Sequence, residues 1–108
     1  KDLIITGGLN VYPKEIETAI DTDSNVEESA VIGVSHPDFG EGIVAIIVEK
    51  KGQNIDPQIL QETLKKNLAA FKLPKKIHII KELPRNTMGK VQKNVLRNVY
   101  KDEFRKTS

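Results

Sequence analysis

One segment of the sequence combines residue types that can meet a phosphate or a carboxylate. The run LPRNTMGK occupies residues 83–90. Pro84 restricts the backbone near the start of this run, and Gly89 allows backbone freedom beside Lys90. A lysine on a loop between a strand and a helix can reach an anion on another molecule. The same pattern is typical of a solvated surface lysine, so the residue types alone leave both interpretations open.

A second group of basic residues lies in the middle of the chain, with an aromatic residue among them. It consists of Lys65, Lys66, Lys72, Lys75 and Lys76 around Phe71. Ammonium groups attract phosphate and an aromatic ring offers a stacking face, so a phosphate-bearing ligand would fit this group. Cations are also favoured at the end of a helix, which accounts for the same residues without any ligand.

Other chemistries have little support in the sequence. The 108 residues contain no cysteine, which excludes a disulfide framework, a thiolate metal site and a catalytic thiol. His36 precedes a proline and His78 lies in an apolar run, and neither has a neighbour at metal-ligand spacing. Gly7-Gly8 matches no phosphate-binding pattern and is typical of a hairpin turn.

The elements that position these residues begin with a hairpin. The pattern predicts strands over residues 3–6 and 9–12, joined by Gly7-Gly8, and a helix that begins at Pro13. Two glycines tolerate the positive φ angles of a tight hairpin turn. Proline is favoured at the first position of a helix.

The rest of the chain predicts a small sheet with helices packed on it. We expect an antiparallel pair of strands over 29–35 and 43–50, a further strand over 76–81, a loop over 83–91 and a final helix over 94–105. Asp56 is the expected N-cap of the middle helix, whose core stripe is Ile59, Leu60, Leu64 and Leu68. The last helix should bury Leu96, Val99, Tyr100 and Phe104 on one side. The predicted fold class is α+β, a small three-stranded sheet flanked by helices and preceded by a short N-terminal β-hairpin.

Composition places the chain among single globular domains. The hydrophobic fraction is 38%, which is enough for one core, and the net charge of +2 makes no electrostatic case for nucleic acid or a membrane surface. The longest apolar run, over 43–48, is far too short for a transmembrane segment. The first residue is Lys1 rather than Met, and a strand-like segment begins at Leu3, so we expect a fragment or excised domain, with removal of an initiator Met as the alternative. The start has no signal-peptide pattern, and we expect a cytoplasmic protein.

Three segments together resemble a known family. The opening KDLIITGGLNVYPKEIE over 1–17, the run from Val31 to Glu41 and the LPRNTMGK segment are similar to motifs of the C-terminal domain of the acyl-CoA synthetases. These AMP-forming enzymes belong to the adenylate-forming superfamily, together with nonribosomal-peptide adenylation domains and firefly luciferase. The segments occur in the family's order and spacing and cover nearly the whole chain.

The resemblance implies a two-step reaction. The family makes an acyl-adenylate from a carboxylic acid and ATP, and then transfers the acyl group to the thiol of coenzyme A. A large N-terminal AMP-binding domain, absent here, would carry most of the ATP and acid site, with Mg²⁺. The present chain would be a C-terminal lid, residues 1–108, which rotates between two poses and is inactive by itself.

The resemblance also implies residue roles for the adenylation pose. Lys90 matches the catalytic lysine, whose charge offsets the repulsion between carboxylate and α-phosphate. Pro84 and Gly89 would support its loop. Lys1 and Asp2 fall at the hinge about which the lid turns.

A second group of residues would serve the thioester step. Gly7 and Gly8 match a turn along which the pantetheine arm of coenzyme A passes, where a Cβ would crowd it. Phe39, Phe71 and Lys75 match positions that contact the CoA nucleotide in some relatives.

Three alternatives stay open at this point. A small nucleic-acid or ligand-binding α+β module would need exposed aromatic residues on a sheet face and a strongly basic surface. A protein-interaction domain would use the Gly-Lys loop as plain surface. Within the superfamily, a carrier-protein phosphopantetheine could replace coenzyme A. The acid substrate is left open between short-chain, long-chain and malonate-type acids.

Overall fold

The computed structural model describes residues 2–105, which form five strands, three helices and a short 3₁₀ turn. The bounds are β1 (Ile4–Thr6), β2 (Leu9–Val11), α1 (Pro13–Asp21), β3 (Val26–His36), β4 (Gly40–Glu49), α2 (Pro57–Lys65), a 3₁₀ turn (Ala70–Lys72), β5 (Lys76–Ile80) and α3 (Lys93–Val99).

Strand β4 organises the sheet. It pairs antiparallel with β3 from Val26 opposite Glu49 to His36 opposite Gly40, and β5 runs parallel to it over Val44–Val48. The β1–β2 hairpin joins the sheet at one position, where Thr6 pairs with Gly40 of β4. The α+β class and the N-terminal hairpin are therefore confirmed, as is the antiparallel pair. The hairpin is continuous with the main sheet, so the five strands form one sheet.

The sheet has a core on each face because alternate residues of β4 point to opposite sides. Ile43, Ala45 and Ile47 pack with α1 and α2 in a first core, which also holds Ile16, Ile20, Leu60 and Leu64. Val44, Ile46 and Val48 pack in a second core with Leu83, Leu96 and β3. A strand covered on both faces is apolar at every position, which explains the unbroken run from Ile43 to Val48.

The start of α2 follows the sequence prediction, but its buried stripe is narrower. The Asp56 carboxylate accepts a hydrogen bond from the Gln58 N–H at 2.9 Å, and Pro57 is the first helical residue. Ile59, however, is 66% exposed. It lies about 100° around the helix from Leu60, at the edge of the buried face, so its predicted core position was wrong.

The final helix, predicted over 94–105, is shorter than expected. It ends at Val99, which is 64% exposed and not in the core. The following residues turn back onto the sheet because Tyr100 stacks on His78, with ring centroids 4.5 Å apart, and Phe104 packs against the second core. These contacts pull the chain off the helix axis. Among residues 2–105, no helix has the length and apolar character needed to cross a bilayer.

Candidate functional site

The predicted loop before α3 is a small hairpin that presents Lys90. Arg85 and Val91 form an antiparallel bridge at its base, where the Gln92 N–H also donates to the Pro84 carbonyl at 2.8 Å. Gly89 has a φ of +81°, a conformation that favours glycine.

The side chain of Lys90 is available to an external anion. The residue is exposed, and its ammonium makes no ion pair or hydrogen bond with any other residue within 2–105. Its backbone, by contrast, is held on both sides. The Lys90 N–H donates to the Asn86 side-chain oxygen at 2.9 Å, and the Lys90 carbonyl accepts from the Asn86 N–H at 3.0 Å. The site therefore combines a fixed Cα with a free charge.

A second region brings four of the predicted CoA-contacting residues together. Gly7, Phe39, Phe71 and Lys75 line one cleft of about 400 Å³. Its other walls are Thr6, Leu9, Ile43, Ala70 and Leu73. The Lys75 ammonium lies 4.4 Å from the Phe39 ring centroid, within the range of a cation–π interaction. An apolar cleft with two partly exposed aromatic side chains and one cation can hold a planar group that carries negative charge.

The two glycines of the first hairpin differ in their surroundings. Gly7 has a φ of +56° and Gly8 a φ of +82°, as a tight hairpin turn requires. A Cβ on Gly7 would lie 3.4 Å from Cδ1 of Phe39, at the cleft. A Cβ on Gly8 would meet nothing within 4 Å in this chain. Gly8 does not line the cleft and faces open space.

The two regions lie on opposite sides of the sheet. The Lys90 hairpin is flanked by Leu83 and Val91, which pack in the second core, beside α3. The cleft is lined by Ile43 and Leu73, which belong to the first core or pack against it.

The start of the described chain is tied to α3. Lys1, a predicted hinge residue, lies outside the described residues. Asp2 accepts hydrogen bonds from Lys93 at 2.5 Å and from Arg97 at 3.1 Å. The Lys93 ammonium also lies 2.8 Å from the Glu17 carboxylate of α1. The Asp2 carboxylate is thus held against α3 by two basic side chains.

Among the titratable groups, Tyr100 has a shifted pKa. Burial and, to a smaller degree, the nearby Glu103 carboxylate raise the pKa of Tyr100 above its usual range. Among residues 2–105, no group of three or more His, Asp or Glu side chains converges as metal ligands.

Sequence reasoning missed the residues that hold the Lys90 hairpin. Asn86 could have been identified, because an Asn three residues before a Gly is typical of a turn in which the side chain caps backbone N–H groups. Arg85 donates to the Gly89 carbonyl at 2.6 Å and pairs with Glu28 on β3. Glu28 is 57 residues away, so no local pattern could have identified it.

Comparison with known proteins decides the family. The sequence profile described as the AMP-binding enzyme C-terminal domain matches residues 15–90. The chain belongs to this family. The resemblance found in the sequence is thereby confirmed for the domain.

Relatives of this AMP-binding enzyme C-terminal domain carry the names of CoA ligases. The chain is 46% identical to 2-succinylbenzoate–CoA ligase of Listeria innocua over 96 residues, which are 89% of this chain and 20% of that protein. It is 45% identical to long-chain-fatty-acid–CoA ligase FadD13 of Mycobacterium tuberculosis over 100 residues, 93% of this chain and 20% of that protein. The chain thus spans about a fifth of the length of these relatives.

Solved structures agree with this assignment. Apo MatB from Rhodopseudomonas palustris matches with a TM-score of 0.94 and 60% identity, over 97% of this chain and 21% of that chain. A Mycobacterium tuberculosis fatty acyl CoA synthetase matches with a TM-score of 0.87 and 42% identity, over 94% of this chain and 20% of that chain.

Proposed function

We propose that this chain is the mobile C-terminal domain of an AMP-forming, ATP-dependent carboxylic acid–CoA ligase. An N-terminal AMP-binding domain of the same polypeptide would supply most of the ATP and acid site, including the Mg²⁺ that accompanies ATP. The observation that carries the proposal is the position of the free Lys90 ammonium, which lies across the sheet from the aromatic cleft. Two active faces on one domain suit an enzyme that performs two half-reactions.

In the first half-reaction, Lys90 acts as an electrostatic catalyst. A carboxylate oxygen attacks the α-phosphorus of ATP, and the bond from that phosphorus to pyrophosphate breaks. Both reactants are anionic, and negative charge grows on the phosphoryl oxygens in the transition state. The Lys90 ammonium offsets the repulsion and stabilises that charge. Because the backbone of Lys90 is already fixed, only the freedom of its side chain is lost when the ammonium enters the site of another domain.

In the second half-reaction, the opposite face of the domain meets the N-terminal domain. The CoA thiol loses its proton to solvent, its sulfur attacks the acyl carbonyl carbon, and the bond from that carbon to the phosphate oxygen of AMP breaks, so that AMP leaves with the bonding electrons. The pantetheine arm passes along the Gly7-Gly8 turn, in the open space next to Gly8. A Cβ on Gly8 would project into that space and crowd the arm, so glycine lets the arm approach the backbone closely. Rotation about the segment at Lys1 and Asp2 would exchange the two poses.

Coenzyme A is the preferred acyl acceptor over a carrier protein. The cleft beside Gly7 has the exposed rings of Phe39 and Phe71 and the Lys75 ammonium, which suit the adenine and phosphates of a nucleotide. A carrier-protein arm brings no adenine to such a cleft. A nucleic-acid module would need aromatic side chains on an open sheet face, whereas core side chains cover both faces of β4 within residues 2–105.

The test separates the two half-reactions in the full-length ligase that contains this chain. Adenylation is measured as acid-dependent exchange between pyrophosphate and ATP, with the best acid from a panel of mono- and dicarboxylic acids. Thioester formation is measured from supplied acyl-AMP and CoA. We expect Lys90→Ala to slow adenylation by about 10²–10³-fold and to leave thioester formation nearly unchanged.

Lys81→Ala is the matched control, because Lys81 is also an exposed lysine that follows directly after β5. It should retain both activities. Unchanged acyl-AMP formation in Lys90→Ala would refute the role of Lys90, and the absence of any ATP-dependent CoA ligase activity in the full-length protein would refute the proposed function.

A further inference from the structure

The peptide group before Lys90 is held on both of its polar atoms by side chains. Its carbonyl, on Gly89, accepts a hydrogen bond from Nη1 of Arg85 at 2.6 Å. Its N–H, on Lys90, donates to the Asn86 side-chain oxygen at 2.9 Å. The same oxygen accepts from the Met88 N–H at 2.9 Å. The orientation of this peptide therefore depends on the identity of two side chains.

Arg85 also connects the hairpin to the sheet. Its second terminal nitrogen pairs with the Glu28 carboxylate, which lies on β3. A guanidinium is planar and presents several N–H donors in a fixed fork, so it can hold a carbonyl and a carboxylate in one geometry. Through this single group, the carbonyl next to Lys90 is fixed to a strand of the central sheet.

The tip of the hairpin is open to solvent, and backbone hydrogen bonds from the Asn86 N–H to the Lys90 carbonyl and from the Gly89 N–H to the Asn86 carbonyl close it. Met88 is 88% exposed, residues 85–90 are all exposed, and the strand pairing consists of one bridge between Arg85 and Val91. An exposed ion pair contributes little to the stability of a folded domain. The pair of Arg85 and Glu28 thus contributes little to global stability, but it joins the Gly89 carbonyl, one residue before Lys90, to strand β3.

We propose that Arg85 is a positioning residue for the adenylation step, with Glu28 as its anchor on β3. It orients the peptide that carries Lys90 and so reduces the conformations from which the ammonium must reach the reacting phosphate. This inference rests on the proposed role of Lys90. Arg85 acts through the Gly89 carbonyl and does not itself contact the substrate.

The test compares Arg85→Gln, Arg85→Lys and Glu28→Gln in the full-length ligase. We expect Arg85→Gln to lower the kcat of adenylation about ten- to hundredfold, with the KM for ATP, the thioester step and the melting temperature unchanged. Arg85→Lys should restore only part of the rate, because an ammonium lacks the planar fork. Glu28→Gln, which keeps the shape of its side chain, should lower the same kcat by a smaller factor. Arg105→Gln is the control, because Arg105 is an exposed arginine with one long contact of 3.9 Å to Asp102.

Glu28→Gln separates positioning from direct catalysis. If Arg85 instead bound a substrate phosphate directly, Glu28→Gln would free Arg85 from Glu28 without slowing adenylation. In that case, Arg85→Gln would raise the KM for ATP. Either result would overturn the proposal. The double variant should lose no more rate than Arg85→Gln alone, because both changes break one tie. Independent, multiplying losses would also overturn it.

Two further outcomes separate this inference from the proposed function. If Lys90→Ala loses adenylation but Arg85→Gln retains it, the positioning role is refuted and the proposed function stands. If Arg85→Gln lowers the melting temperature and slows both half-reactions equally, its role is structural and the positioning proposal fails. Unchanged adenylation in Lys90→Ala would refute the proposed role of Lys90 and this inference with it.

Discussion

The two hairpins of the domain each contain a glycine with positive φ, but they differ in turn length and in the side chains that hold them. Gly8 and Gly89 have almost the same φ angle, +82° and +81°. The first hairpin is held by backbone pairing between β1 and β2, and the Gly7 N–H donates to the Phe39 carbonyl at 2.9 Å. The second is closed by backbone hydrogen bonds from the Asn86 N–H to the Lys90 carbonyl and from the Gln92 N–H to the Pro84 carbonyl, and it has in addition side-chain hydrogen bonds from Arg85 and to Asn86.

This difference has a consequence for how each hairpin tolerates mutation. Backbone pairing is indifferent to most side chains, so the first hairpin keeps its shape under many substitutions away from its glycines. Side-chain hydrogen bonds require particular residues, so the second hairpin is sensitive to changes at its base. The domain thus presents a robust turn on one side of its sheet and a sequence-dependent turn on the other.

The sharpest test of this comparison replaces the two matched glycines. Gly8→Ala and Gly89→Ala should each destabilise the domain by about 1–2 kcal/mol, because both residues adopt a left-handed conformation. Their effects on catalysis should separate, since Gly89→Ala shifts Lys90 and Gly8→Ala crowds the pantetheine arm. We expect a loss of about tenfold or more in adenylation for Gly89→Ala and in thioester formation for Gly8→Ala.

The control for both variants is Gly52→Ala. Gly52 has a φ of +80°, and a Cβ added to it would meet nothing within 4 Å, as at the other two glycines, but it lies in the turn before α2. It should show the same loss of stability by chemical unfolding without a specific loss of either half-reaction. If Gly8→Ala and Gly89→Ala slowed the same step, the assignment of one hairpin to each half-reaction would be wrong.

A smaller effect is expected at the cleft. Lys75→Ala removes the cation beside the Phe39 ring, and the KM for CoA should rise about two- to fivefold because an exposed charge contributes roughly 1 kcal/mol or less. Adenylation should be unchanged. Steady-state kinetics with varied CoA measures the effect. Lys76→Ala, an exposed neighbour that does not line the cleft, is the control, and an equal rise there would indicate a general charge effect instead.

The smallest expected effect is on the pH dependence of stability, through Tyr100 on the side of the sheet that carries the Lys90 hairpin. Burial raises the pKa of Tyr100 in the folded state, with a lesser contribution from Glu103. The folded domain therefore holds this proton more tightly than the unfolded chain, and its stability falls as pH rises above about 10. Tyr100→Phe should make that fall shallower in urea unfolding measured between about pH 8 and 11. Tyr12→Phe is the control because Tyr12 is 60% exposed, and an equal change there would contradict the prediction.

The elements were largely predictable because local rules governed them. Pro13 and Pro57 begin helices, Asp56 caps one, and the Gly7-Gly8 turn joins two short strands as expected. The failures occurred where tertiary contacts overrode a local pattern. The end of α3 at Val99 is one example, because the packing of Tyr100 on His78 is invisible to helical periodicity.

The sequence by itself determined the domain family and the α+β class, because motif spacing and hydrophobic pattern are properties of the chain alone. Only the tertiary structure decided which residues share a surface. Phe39, Phe71 and Lys75 meet Gly7 in one cleft, and Arg85 meets Glu28 on β3. Such contacts join positions tens of residues apart, and they follow from the pairing of strands and the packing of side chains rather than from any local pattern.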